Sequence, residues 1–205
     1  MHIYIQNHPN LIFFFCIIIS LIVGSFLNVV IYRLPLMMKR NWHDQCNEIS
    51  KTINNKLPQK SFNLILPRSH CPNCNSIIKA KENIPLFSYL LLNGKCNSCK
   101  ENISLRYPFI ELLTTILTCI TLWKLGLSIE GLIAIIVTWS LIVISAIDFD
   151  EKYIFDDVVL PLLWLGLFIS IFDLKREQSL FIEPSEAILG AIFGYLSLWI
   201  VYKIF

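Results

Sequence analysis

The stretch Pro9-Asn-Leu-Ile-Phe-Phe-Phe-Cys16-Ile-Ile-Ile-Ser20-Leu-Ile-Val-Gly24-Ser-Phe-Leu-Asn28-Val-Val-Ile-Tyr32 decides the class of this chain. Its 24 residues carry no charge. As a helix it would run about 36 Å, enough to cross a hydrocarbon core of about 30 Å. It lacks the basic start and the A-x-A-like end of a cleaved signal peptide, so it reads as a retained signal anchor. More apolar blocks follow. Residues 131–147, 158–172 and 187–202 are uncharged over 17, 15 and 16 positions, and 107–123 is broken only by Glu111. With 55% hydrophobic and 16% charged residues, the composition excludes a soluble domain of this size. The expectation is an all-α polytopic membrane protein with about five transmembrane helices, whose partner is the lipid bilayer.

Charge orients it. Eleven of the 17 Lys and Arg lie between residues 35 and 106, against four acids there. The excess places this loop in the cytoplasm and the N-terminus outside. Alternation then puts residues 148–157 on the cytoplasmic face and 124–130 and 172–185 on the other. A net charge of +2 is too small to imply a nucleic-acid partner.

Seven cysteines is an odd number, and a reducing compartment argues against a disulfide framework. Cys16 and Cys119 fall in apolar blocks and read as packing residues, while Cys46 has no motif around it. The other four form two knuckles, Cys71-Pro-Asn-Cys74 and Cys96-Asn-Ser-Cys99, with 21 residues between them. A two-residue gap lets both thiolates of one turn reach one ion, and two such turns complete the tetrahedral sulfur shell that suits zinc. A shell of four protein thiolates leaves no position for substrate, so the metal reads as structural. It would hold together a zinc-ribbon-like loop too polar to build a core. Lys79, Lys81, Lys95 and Lys100 around it read as a rim facing lipid headgroups. Residues 36–66, rich in Asn and Lys, read as an insertion.

The second polar loop is acidic: Asp148-Phe-Asp150-Glu-Lys-Tyr-Ile-Phe-Asp156-Asp157. Asp156 and Asp157 precede an apolar block and suit the start of a helix. Asp148 ends a 17-residue apolar run, where a carboxylate is costly unless paired or functional. Asp150, two residues on, would point to the other side of a helix and is a poor partner for it.

Several of these motifs together resemble the bacterial prepilin peptidases, membrane aspartic proteases of the GxGD type. They are Gly24-Ser-Phe-Leu-Asn28-Val-Val-Ile-Tyr-Arg33-Leu-Pro35; Arg68-Ser-His-Cys71-Pro-Asn-Cys74; Glu82-Asn-Ile-Pro85-Leu-Phe-Ser88; Gly94-Lys-Cys96-Asn-Ser-Cys99; Arg106-Tyr-Pro108-Phe-Ile-Glu111; and Ile147-Asp148-Phe-Asp150. The resemblance runs from about residue 11 to the last residue. It implies an inner-membrane enzyme that cuts the basic leader from type IV prepilins or pseudopilins at the cytoplasmic face. It also implies methylation of the new N-terminus with S-adenosylmethionine in many members. Carried over, Asp148 is the first catalytic aspartate, and Cys71, Cys74, Cys96 and Cys99 are zinc ligands. The implied division is a transmembrane helix over 1–34, a zinc-binding loop over 35–106, and a membrane peptidase segment over 107–205. Two departures stand out. Phe155 occupies the place of the family's usual Pro, and no G-x-G-D, the family's second aspartate motif, occurs in the sequence. The Gly190–Gly194 spacing reads as helix packing instead. The expectation is therefore a C-terminally truncated peptidase, inactive alone. The alternatives are a methyltransferase-only remnant and a zinc-ribbon scaffold of a pilus or secretion machine.

Overall fold

A computed structural model describes residues 9–49, 62–172 and 183–204. Among these residues there is no β-strand, only two isolated bridges. The helices are α1 (Pro9–Ile49), α2 (Phe87–Leu91), α3 (Arg106–Leu125), α4 (Ile129–Glu151), α5 (Asp156–Phe172) and α6 (Pro184–Ile204), with a 3-10 turn at Ala80–Asn83. Among the described residues four helices are long and apolar enough to cross a membrane: the Phe13–Cys46 part of α1, α3, α4 and α6. The fifth expected span falls on α5, whose 17 residues stand at the lower end of the spanning range of about 17–25.

The 41 residues of α1 do not stop where its apolar run stops. The helix continues through Pro35, which has no N–H to give the carbonyl one turn back. The residues expected to begin an insertion stay helical to Ile49 because they find partners on α4 and just beyond it. Lys39 Nζ donates to Glu151 Oε2 at 2.5 Å, and the Trp42 ring meets Tyr153 edge-on with centroids 5.4 Å apart. Met37, Met38, Lys39 and Arg40 are also good helix formers. Residues 50–61 of that stretch lie outside the described residues.

The chain divides into two compact units, Met1–Tyr153 and Ile154–Phe205. In the first, α1, α3 and α4 pack against one another. Small and hydroxyl side chains bring them close, as in membrane bundles generally, beside buried aliphatics such as Ile31, Ile110, Ile142 and Ile147. A Cβ on Gly24 would stand 2.9 Å from the Glu111 Cα, so the two backbones touch there. Thr114, Thr115 and Thr118 are buried and return their hydroxyls to the carbonyls four residues earlier. Trp139 Nε1 donates to Thr118 Oγ1 at 2.9 Å, tying α4 to α3. Gly24→Val should therefore push α1 off α3 and cost about 1–3 kcal/mol, read as a lower melting temperature in micelles. An unchanged melting temperature would show that the contact can relax.

Ser128 caps α4 by accepting from the Gly131 N–H at 3.0 Å. At the other end Lys152 turns left-handed, with φ 56°, and donates its N–H to the Asp148 carbonyl at 2.9 Å. In the second unit α5 and α6 pack together, and Asp156 and Asp157 occupy the first turn of α5, where the helix dipole favours them.

Candidate functional site

The two knuckles are one backbone unit built twice. In the first, Cys71 N donates to Ser76 O, Asn75 N to Cys71 O, and Ile78 N to Ser69 O. In the second, Cys96 N donates to Glu101 O, Lys100 N to Cys96 O, and Ile103 N to Gly94 O, at the same offsets. The bridges His70–Ile77 and Lys95–Asn102 correspond, as do the left-handed Asn75 (φ 55°) and Lys100 (φ 61°). The paired knuckles showed this repeat in the sequence only through their cysteines and the shared Ile78 and Ile103, because the other side chains between residues 69 and 78 differ from their counterparts in 94–103.

The units face each other and bring Cys71, Cys74, Cys96 and Cys99 together, with every pair of Sγ atoms within 4.8 Å. Cys71 Sγ lies 3.8 Å from Cys99 Sγ, and Cys74 Sγ 4.0 Å from Cys96 Sγ. A tetrahedron with Zn–S bonds of about 2.3 Å has sulfur–sulfur edges of about 3.8 Å, so the cluster has the dimensions to hold such an ion. The Cys99 and Ser98 N–H groups draw the Cys96 thiol down to about 6. Cys99 goes the other way. The Glu101 N–H favours its thiolate most, yet desolvation and the neighbouring thiols outweigh it and push it up to about 11. Four thiols this close resist ionising together until a cation joins them. Glu82 braces the cluster from the side: it accepts from Lys79 N at 3.2 Å and from Asn97 Nδ2 at 2.8 Å. The Lys79 N–H, followed by the Asn97 amide, holds its carboxyl below the ordinary range.

Two attachments, at Glu111 and Arg33, fix the module to the bundle, and Asn28 joins α1 to α3. Glu111, buried on α3, accepts from Leu86 N at 2.8 Å, and Ser25 of α1 bonds the same carboxylate. Asn28, buried on α1, donates to the Tyr107 carbonyl at 3.0 Å. Arg33 is 6% exposed and donates to three carbonyls, Asn63 at 2.9 Å, Leu64 at 3.3 Å and Pro67 at 2.6 Å. Phe62 is held between this guanidinium and that of Arg40, whose centre stands 4.1 Å from the ring centroid. Inside the module, Gly94 adopts φ +66° against Tyr89, whose hydroxyl a Cβ would meet at 2.7 Å. Arg33→Lys loses the planar fork and should cost about 1.5–3 kcal/mol, exposing residues 62–67 to protease first. Equal protease resistance in the variant would remove Arg33 as the latch.

The acidic turn sits at the same end of the bundle. Arg106, first residue of α3, pairs with Asp150 and donates to the Ala146 carbonyl at 3.5 Å. Lys39 takes Glu151. Asp148 is exposed on the last full turn of α4, and among the described residues no hydrogen bond or ion pair engages its carboxylate. Cations thus hold two of the three acids of this turn in place, and the third remains free. No contact joins Asp148 to the cysteine cluster.

Comparison with known proteins completes the picture. Residues 18–125 match the profile of the bacterial peptidase A24 N-terminal domain, and residues 135–205 match that of the type IV leader peptidase family. Proteins named prepilin leader peptidase/N-methyltransferase are similar along the chain. The one from Pseudomonas aeruginosa is 45% identical over 203 residues, covering 98% of this chain and 67% of its own length. Those from Neisseria gonorrhoeae (46%; 91% and 64%) and Legionella pneumophila (39%; 98% and 68%) agree. The chain spans about two thirds of the length of these relatives. No solved structure matches. The chain belongs to the type IV leader peptidase family.

Proposed function

We propose that the protein is a prepilin leader peptidase of the bacterial inner membrane, cutting the basic leader from type IV prepilins or pseudopilins at the cytoplasmic face, with its own N-terminus outside. The free carboxylate of Asp148 carries this reading, because it stands at a membrane-helix end with both acidic neighbours already neutralised. Peptide hydrolysis by carboxylates takes two, one holding a proton and the other receiving one from water. Asp148 supplies one of them. The basic leader suits an acidic turn at the cytoplasmic membrane edge. Cys71, Cys74, Cys96 and Cys99 would hold a structural zinc, which supplies no open coordination position and takes no part in the cut.

Methyl transfer from S-adenosylmethionine to the new N-terminus rests on the relatives' name alone. A methyltransferase-only role is not favoured, since the peptidase profile covers residues 135–205. The test is a synthetic prepilin peptide incubated with membranes from cells expressing the native gene, read by mass spectrometry. The expected product is cut after the glycine at the leader junction. An intact peptide in such membranes, with a cut by a relative's membranes alongside, would overturn the proposal.

A further inference from the structure

The cysteine module carries an apolar patch that its own fold leaves uncovered. The five residues of α2 place Phe87, Leu90 and Leu91 on one face, at spacings i, i+3 and i+4. These are 62%, 70% and 82% exposed, and Ile84 just ahead of them is exposed as well. A polar module standing free in water would not present such a cluster.

Its depth follows from its attachment. Leu86, the residue before α2, is bonded through its N–H to Glu111, five residues into the spanning helix α3. At 1.5 Å per residue that is about 7–8 Å past the start of the helix. On its other side Glu111 touches Gly24, eight residues inside the end of the uncharged run of α1. The segment therefore lies alongside the apolar parts of two spanning helices. Lys79, Lys81, Lys95 and Lys100 of the same module are all exposed.

We infer that residues 84–92 form an interfacial wedge, bedded in the headgroup–acyl boundary of the bilayer that α1 and α3 cross, with the lysines meeting anionic headgroups. Apolar side chains on a short helix with cationic neighbours match the composition of segments that lie in this layer. A water-soluble partner would need the patch above the membrane, whereas the Leu86–Glu111 bond draws it level with the spans.

The test uses the full chain in nanodiscs of phosphatidylcholine and phosphatidylglycerol. An environment-sensitive fluorescent amino acid replaces Leu91, with Ser98 on the second knuckle as the reference position. Both side chains are exposed, so the probes disturb no core. Lipids brominated on the acyl chain should quench the probe at 91 roughly threefold more than the probe at 98, as burial by about 5–10 Å into the boundary requires. Removing phosphatidylglycerol should weaken that quenching. Equal quenching at both positions would overturn the inference. So would quenching at 91 that disappears when a prepilin peptide is added, or appears only with two copies per disc, since the patch would then belong to a protein. The inference rests on membrane placement alone, so a failure of peptide cleavage leaves it standing.

Discussion

In membranes from cells expressing the native gene, Asp148→Asn should lower leader cleavage by about 10²–10⁴-fold, the range spanned by loss of a positioned acid or base. The carboxamide matches the carboxylate in shape but can neither take nor hold the proton that hydrolysis moves. Because Asp148 is exposed and engages no described side chain, the melting temperature of the variant should match the parent. The neighbours supply the contrast. Asp150→Asn breaks the pair with Arg106, and Glu151→Gln the pair with Lys39. Pairs as exposed as these contribute about 0–1 kcal/mol each, so cleavage should fall only a few-fold. The measurement is initial rate against peptide concentration in matched membrane preparations. Equal losses at 148 and 150 would remove Asp148 from its special place.

Removing the metal should have the largest structural effect. Among the described side chains between residues 62 and 105 the only buried apolar one is Cys71, so they form no core beyond the cluster itself. In small metal domains of that kind, binding energies of about 10–16 kcal/mol are folding energies. Cys71→Ser or Cys96→Ser should take zinc from one per chain to none, measured by mass spectrometry of the metal. The same variants should expose residues 68–104 to protease within the time the parent resists. The helices α1, α3 and α4 should keep their protection, because their packing does not pass through the thiols. Unaltered proteolysis after zinc loss would mean that the knuckles hold without it.

The spans and the cysteine cluster were legible in the sequence for a plain reason. A charge-free run of 24 residues, or a C-x2-C pair, leaves few physical alternatives. The extension of α1 was not legible, since residues 36–49 are polar and follow a proline. Their helical state depends on Glu151 and Tyr153, more than 100 positions away. Arg33 was visible as a motif residue, but its partners are backbone carbonyls, which any sequence could supply. Near residue 35, where the composition turns from apolar to polar, the helix runs on without a break. Asp148 could be suspected from position alone. Its isolation from cations became apparent only once Arg106 and Lys39 had been placed.

The unbroken length of α1 makes it a lever. About 60 Å of helix crosses a layer half as thick, leaving a helical arm of about 25 Å beyond Tyr32, with Pro35 near its base. Spanning helices answer a thicker or thinner bilayer by tilting, and a change of about 10° swings the tip of such an arm by about 4 Å. Lys39 and Trp42 ride on that arm and grip the turn that carries Asp148. A tilt of α1 would carry Lys39 and Trp42 with it, and they touch the helix end that bears Asp148.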